Sequence, residues 1–537
     1  MSLEEMSTIA RLNHTYGVSF LLLLLLGYFT QGLRCFPWVA MSYWYKDTLK
    51  VDPGQMQFLM STAALPMVAK PIYGIISDSV YIKGAHRVPY LVIAGALQLF
   101  SWTAIAVHSG ASSTAAVLTI FLTITNIGAA IAEVVNDAMI AEAAKNKAGA
   151  QQGKGAITSS FIVNDMCTGP HILSLTIALE GCLLGWSLLD LVFAACKLTS
   201  VPVPLYFSIM GGCSFHPWCM LPFSAGELQS FAWLAMASGG VVGNLTAGYA
   251  MKILTPQMML AIFISLVAAQ LFLALTVNER SFTSGPNKDT DDNPQSKEFK
   301  PNKGAVSAMR DQITKLKESL QKPEIFKPLL WFLSSYAVIP GLGSALFYYQ
   351  TQYLRLGASV LGLARVVGQV GLLFGSFLYN KSLKDVPIRR MFATVQILLS
   401  LCMLTDIVLV KRINLDLGIP DKWFVLGASA FVEGIGQFKI LPFMVLLAKL
   451  CPPGSEASLF AFFMSAQCLA SLTNGYLGVA LASYLHISAN DFSGLPLGIL
   501  IQAFFALLPV LWIGLIPAEP KLAAVSQSDE VERKKEL

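Results

Sequence analysis

One apolar stretch carries Glu133, Asn136 and Asp137 within five residues. On a helix, positions i and i+4 share a face, which puts the two carboxylates one turn apart with the amide beside them. Two carboxylates that close in a medium of low dielectric cannot easily both ionise. Such a pair suits a proton carrier, or an acceptor for the N–H groups of a cargo. The plainer alternative is a structural pair bonded to a neighbouring helix. A later stretch repeats the spacing with Glu433 and Gln437, and Lys439 follows two residues on. Glutamine is neutral, so the two stretches are chemically unequal, and one could handle protons while the other handles the cargo. Lys439 reads as a cation that snorkels to an interface or pairs with a helix acid.

The elements that must position these groups follow from composition. Of the 537 residues, 55% are apolar and only 13% are charged, where a soluble domain carries about 25% charged residues. Mean hydropathy is +0.60. A bilayer span needs roughly 20 mostly apolar residues, and twelve such stretches are expected: 17–42, 55–77, 88–108, 113–142, 226–252, 256–277, 328–351, 358–380, 389–410, 423–449, 455–484 and 494–517. The fold class is therefore an all-α polytopic membrane protein, with the lipid bilayer as its first partner. A charge held at the bilayer centre costs about 2.5–3.5 kcal/mol on insertion scales, so one is kept there only with a partner or a role. Leu21 to Leu26 reads as part of a retained helix that runs on to about Met41, not as a cleaved signal.

Lys and Arg favour cytoplasmic loops. With the N-terminus inside, the inner side collects Lys83, Arg87, Lys145, Lys147, most of the polar loop 278–327, Lys381, Lys384, Arg389, Arg390 and the tail Arg533-Lys534-Lys535. The outer side keeps Lys46, Lys50, Lys252, Arg355, Lys411, Arg412 and Lys422. Both termini are expected inside. Tyr43-Trp44-Tyr45 and Tyr348-Tyr349 then close spans one and seven on the outer side, where they read as an interfacial aromatic belt. The nine cysteines show no CxxC and no zinc spacing, no HExxH or phosphate-loop motif occurs, and no basic run interleaved with aromatics points to nucleic acid. No metal and no cofactor are expected, and the chain is read as a non-enzyme.

An internal repeat is visible. Tyr81-x-Lys83-x4-Val88-Pro89 returns as Tyr379-x-Lys381-x4-Val386-Pro387, 298 positions on, and Glu133 returns as Glu433, 300 positions on. Leu245-Thr246-x-Gly248-Tyr249 returns as Leu472-Thr473-x-Gly475-Tyr476, only 227 positions on. Three matches in order indicate a parallel six-plus-six repeat. The drop in offset isolates an atypical insert, 154–224, in the first half. The expected organisation is 1–153 for helices one to four, the insert, 225–277 for helices five and six, 278–327 as a cytoplasmic central loop, 328–517 for helices seven to twelve, and 518–537 as a cytoplasmic tail. Parity of crossings requires the insert to span zero or two times.

The segments Lys70-Pro71-Ile72-Tyr73-Gly74-Ile75-Ile76-Ser77-Asp78, Glu133-Val134-Val135-Asn136-Asp137-Ala138, Gly226-Glu227-Leu228-Gln229-Ser230 and Leu450-Cys451-Pro452-Pro453-Gly454-Ser455-Glu456-Ala457 resemble the folate–biopterin transporter family. That family belongs to the major facilitator superfamily. The resemblance covers about 27–153 and 225–517. It implies a bundle of two six-helix halves that carries folates or pterins, together with protons, by alternating access. Gly74-x3-Asp78 is a loose version of the superfamily's loop motif, with its basic residues displaced to Lys83 and Arg87.

Folate is a dianion with a flat ring, so the resemblance calls for cations in the cavity. Arg34 in span one, Lys70 in span two and Arg365 in span eight are the candidates, since Arg holds a carboxylate bidentately. Each could instead be an interhelical ion pair. Together with Glu133, Asn136, Asp137, Glu433 and Gln437 they make the expected substrate- or proton-binding set. Asp78, Arg87, Glu227 and Gln229 are the expected gating set at the inner ends of spans two and five. The protein is expected to act as a monomer in the plasma membrane, with an organelle membrane left open. Two competing readings stand beside this one: a carrier of another small organic anion or metabolite, and a non-transporting receptor or assembly protein on the same scaffold. The repeat arithmetic predicts that a chain deleted for 154–224 inserts and still transports. Loss of uptake from a well-folded, surface-expressed deletion would reject that view of the insert.

Overall fold

The computed structural model describes residues 16–82, 85, 87–108, 114–151, 226–277, 310, 313–314, 317–318, 320–379, 383, 386–450 and 456–517. Some side chains on those helices lie outside the description, among them Glu227, Gln229, Glu433 and Gln437. The insert 154–224, most of the central loop and the tail 518–537 lie outside it as well.

Helices lie over all twelve expected stretches. Span one is α1 (Val18–Leu33), α2 (Cys35–Tyr43) and a π-helical turn, Trp44–Thr48. Span two is α3 (Pro53–Ala63), a 3-10 turn (Leu65–Ala69) and α4 (Lys70–Ser79). Spans three to six are α5 (Val88–Val107), α6 (Ala115–Gln151), α7 (Gly226–Ala250) and α8 (Pro256–Thr276). Span seven is α9 (Pro323–Ala337), α10 (Gly343–Tyr348) and a second π-helical turn, Tyr349–Tyr353. Spans eight to twelve are α11 (Ala358–Leu378), α12 (Ile388–Val410), α14 (Asp421–Leu450), α15 (Glu456–Tyr484) and α16 (Leu495–Leu507), with the short α13 (Ile413–Asp416) between α12 and α14. Among the described residues, eight of these segments are long and apolar enough to cross a membrane by length and composition.

Proline decides where spans one and two break. Pro37 has no N–H for the carbonyl of Leu33, so the helix is interrupted at Arg34. Pro66 and Pro71 remove two more donors and leave the 3-10 turn that ends at Lys70. Both interruptions therefore carry a cation. α1 and α7 cross closely, because a Cβ on Gly32 would lie 1.9 Å from the Met236 carbonyl and one on Gly239 would lie 2.3 Å from that of Phe29. Only glycine allows this approach, the usual device where helices pack without a solvent drive.

The repeat is built into the backbone. The π-helical turn after α2 leads to Lys50 at φ 50°, and the one after α10 leads to Arg355 at φ 49°, a left-handed conformation that is uncommon for a non-glycine residue. The same bonds close both turns: Leu49 and Val51 donate to Trp44 and Tyr45, while Leu354 and Leu356 donate to Tyr349 and Gln350. The halves also exchange equivalent contacts. Gly248 of α7 meets the backbone of Ala358 and Gly362 on α11, while Gly475 of α15 meets Ser61 of α3.

The aromatic clusters form no lipid-facing belt. Trp44, Tyr45, Tyr348 and Tyr349 are all buried. Three hydroxyls find partners inside the protein: Tyr45 with Thr119 at 2.8 Å, Tyr348 with the Val51 carbonyl, and Tyr349 with the Val410 carbonyl at 3.0 Å, while the Tyr43 hydroxyl and the Trp44 indole N–H are buried without one among the described residues.

At this same end, Gln57 stitches the halves. Its Nε2 donates to the carbonyls of Gly341 (2.6 Å) and Gly475 (3.3 Å), and its Oε1 accepts from the Ser344 N–H (3.1 Å). Tyr348 to Val51 and Thr62 to Tyr476 (3.2 Å) add to the seam. Each such bond contributes about 1 kcal/mol net. Gln57→Ala is therefore expected to favour opening at this end by more than tenfold. Spin labels at the exposed Lys50 and Arg355 should report a longer, broader distance distribution in the variant, and an unchanged distribution would deny Gln57 this role.

Candidate substrate and proton site

Glu133, on α6, sits between the two helix breaks. Its Oε1 is 2.6 Å from Nη1 of Arg34 and its Oε2 is 2.6 Å from Nζ of Lys70. The three side chains are 13–19% exposed. Arg34 Nη2 donates to Oδ1 of Asn126 (2.8 Å), and Asn126 Nδ2 donates to the Ala63 carbonyl (2.7 Å), which anchors the cluster to the end of α3. With Glu133 ionised, the three charged groups leave one positive charge in excess.

Asp137 lies one turn on, as the spacing predicts, so the two carboxylates share a face. Each has its own partner: Asp137 accepts from the Tyr28 hydroxyl at 2.5 Å. Asp137 is exposed. Asn136 is buried and packs against Gly27, where a Cβ would lie 2.8 Å from its Nδ2. Arg34 and Lys70 are in ion pairs, the alternative that the sequence left open. Arg365 is not brought to them. It is exposed on α11, within electrostatic reach of Cys35 and Tyr43.

Asp78 and Arg87 do meet, at 2.5 Å, and Glu142 joins them: Arg87 Nε donates to Glu142 Oε1 at 2.9 Å and Nη1 to Ser77 Oγ at 2.7 Å. All of these belong to the first half, so the cluster ties α4, the following loop and α6 together. The side chains of Glu227, Gln229, Glu433 and Gln437 lie outside the described residues. Lys439 neither snorkels nor pairs with an acid among the described residues. It is 1% exposed, donates to the Ser335 carbonyl at 3.2 Å and rests 3.8 Å from the Tyr336 ring centroid.

Sequence reasoning missed Tyr28, Asn126 and Glu142. Asn126 had a readable signal, since it precedes Glu133 by seven residues and thus lies on the same helix face. Tyr28 had none, because its role depends on how α1 crosses α6.

The BT1 family model matches residues 31–203 and 219–536. The chain belongs to the BT1 family. The match includes the first part of the 154–224 segment, which weighs against reading that segment as foreign to BT1 proteins. The chain is 34% identical over 490 residues to "Probable folate-biopterin transporter 7" of Arabidopsis thaliana, covering 91% of each chain. It is 35% identical over 551 residues to "Probable folate-biopterin transporter 4" of the same plant, covering 95% of this chain and 97% of the relative. With the "Folate-biopterin transporter" of Synechocystis it shares 27% identity over 512 residues, covering 95% and 84%. Among solved structures, a D-xylose–proton symporter aligns at TM-score 0.56 with 14% identity over 94% of this chain and 98% of its own. A nucleoside transporter aligns at 0.53 with 11% identity over 92% and 98%. The fold is that of the major facilitator superfamily, and this BT1 protein is a multi-pass membrane transporter.

Removing Arg87 would leave two acids facing each other. Breaking a buried pair costs about 3–5 kcal/mol, and the carboxylates here are partly exposed, so Arg87→Ala is expected near the lower end. Thermal unfolding in detergent checks it. A melting point within a degree of the parent would contradict a structural role for this cluster.

Proposed function

We propose that this protein carries folates or pterins together with protons, by alternating access of its two halves about the Arg34–Glu133–Lys70 cluster. The observation that carries the proposal is a single carboxylate shared by two cations inside the bilayer. Protonation of Glu133 releases at least one cation from its counter-ion and raises the local excess from one positive charge to two. An uncompensated charge is costly there, so an anionic cargo restores neutrality. Cargo and proton thus favour each other's binding, the coupling that a symporter needs. On this reading Asp137 with Tyr28, and the exposed Arg365 of the other half, contact the cargo. The names of the relatives support the choice of a folate or pterin. The plasma membrane belongs to this proposal too. One relative is named "Probable folate-biopterin transporter 9, chloroplastic", and a fluorescent fusion imaged against membrane markers decides between the two locations.

The test is uptake of labelled folate and biopterin by folate-requiring cells at acid and neutral external pH. The parent should accumulate label, more at acid pH. Glu133→Gln should lose both the acid stimulation and the pH-driven concentrative component, which for one co-transported proton amounts to about 1.4 kcal/mol or roughly tenfold per pH unit. No uptake by a surface-expressed parent would remove the cargo and leave the transporter fold standing.

A further inference from the structure

Behind the ion-pair cluster lies a small cavity wholly within the first half. It is lined by α1, Arg34 at the break between α1 and α2, α5, α6 and α8, and none of its wall comes from the second half. Its lining is unusual for a bilayer protein, because amides converge on it: Gln31, Gln98, Asn136 and Gln270 beside Arg34 and Glu133. Gln98, Asn136 and Gln270 are buried. Two amide oxygens, Gln31 Oε1 and Asn136 Oδ1, are buried with no hydrogen-bond partner in the protein. Leaving two buried acceptors bare costs about 1–3 kcal/mol each, so something that donates hydrogen bonds should fill the space.

Charge identifies the donor. A metal cation would sit beside Arg34 and Lys70 with only Glu133 to offset them, and would be repelled. An anion would face two bare amide oxygens and Glu133. Water fits: its two hydrogens satisfy the two acceptors, while its lone pairs accept from the Arg34 guanidinium or from a protonated Glu133. Alpha5 and α8 bring only amides to the cavity. The other titratable groups near the cluster are Lys70, Asp137 with Tyr28, Cys35 and Cys468.

We propose that this cavity holds ordered water and that Glu133 exchanges its proton with that water, so the proton reaches the cluster through the first half and not through the cleft that admits the cargo. The inference rests on the proton-coupled reading above. It explains a property that a two-sided carrier needs: Glu133 can change protonation while the cleft is occupied by cargo. The step is a proton transfer only, from a protonated water in the cavity to a Glu133 carboxylate oxygen, which gives neutral carboxyl and water and breaks one ion pair.

Two measurements on the full-length protein test it. The first is substrate-driven proton flux and, separately, exchange of labelled for unlabelled biopterin in liposomes, for the parent and for Gln98→Leu. The variant should lose at least tenfold in proton flux while exchange stays within twofold; a variant that keeps both at parent levels overturns the proton route. The second is a structure of the unaltered protein at a resolution that shows water, which does not depend on any variant folding. Water within hydrogen-bond distance of Gln31 Oε1 and Asn136 Oδ1 is the expected result, and an empty cavity overturns the proposal. Ordered water with no proton flux in the parent would instead retire the proton-coupled reading and, with it, the exchange step at Glu133.

Discussion

One carboxylate with two cations sets the terms for the rest of this molecule. Glu133 draws Arg34 and Lys70 into the membrane interior, where neither would stay without a counter-charge. Two spans are broken to deliver them: Pro37 interrupts the first at Arg34, and Pro66 and Pro71 interrupt the second at Lys70. At the second break the Ala63 carbonyl accepts from the Asn126 amide, the kind of internal partner that irregular backbone at that depth requires. Asn126 then fastens Arg34 to the end of α3, so the charge cluster and the packing of three spans form one unit.

The two halves share a backbone plan and differ in chemistry. The π-helical turns, the left-handed cations that follow them and the glycine crossings of α7 on α11 and α15 on α3 obey one approximate two-fold. Against that shared frame the first half is ionic at its centre, while the described centre of the second half holds Lys439 against aromatic rings. The seam between halves depends on backbone carbonyls and one glutamine at the end that carries Lys50 and Arg355. Such contacts can separate without stranding a charge. Rigid halves joined by a few neutral bonds are what rocking about a fixed site requires.

Much of this was legible in the residues. Hydropathy marked where the long helices run, because a bilayer demands long apolar runs whatever the details of packing. Glu133, Asp137, Arg34 and Lys70 stood out because charge inside a span is rare. Their pairing was not legible: which cation reaches which acid depends on proline breaks and crossing geometry, and no local pattern states either. The i,i+4 spacing put the two carboxylates on one face, but it could not show that Tyr28 from another helix donates to Asp137. The aromatic clusters misled for a related reason. A tyrosine at the end of a span has the same composition whether its hydroxyl meets a headgroup or a carbonyl, and here Val51 and Val410 supply carbonyls.

The central claim is that binding an anionic cargo draws a proton onto Glu133. Calorimetric titration of the purified protein with a folate, in buffers of different ionisation enthalpy, counts protons taken up per ligand bound. Near neutral pH the account predicts an uptake approaching one proton per ligand, abolished in Glu133→Gln. Binding heat independent of the buffer, in a protein that binds the ligand, would contradict it.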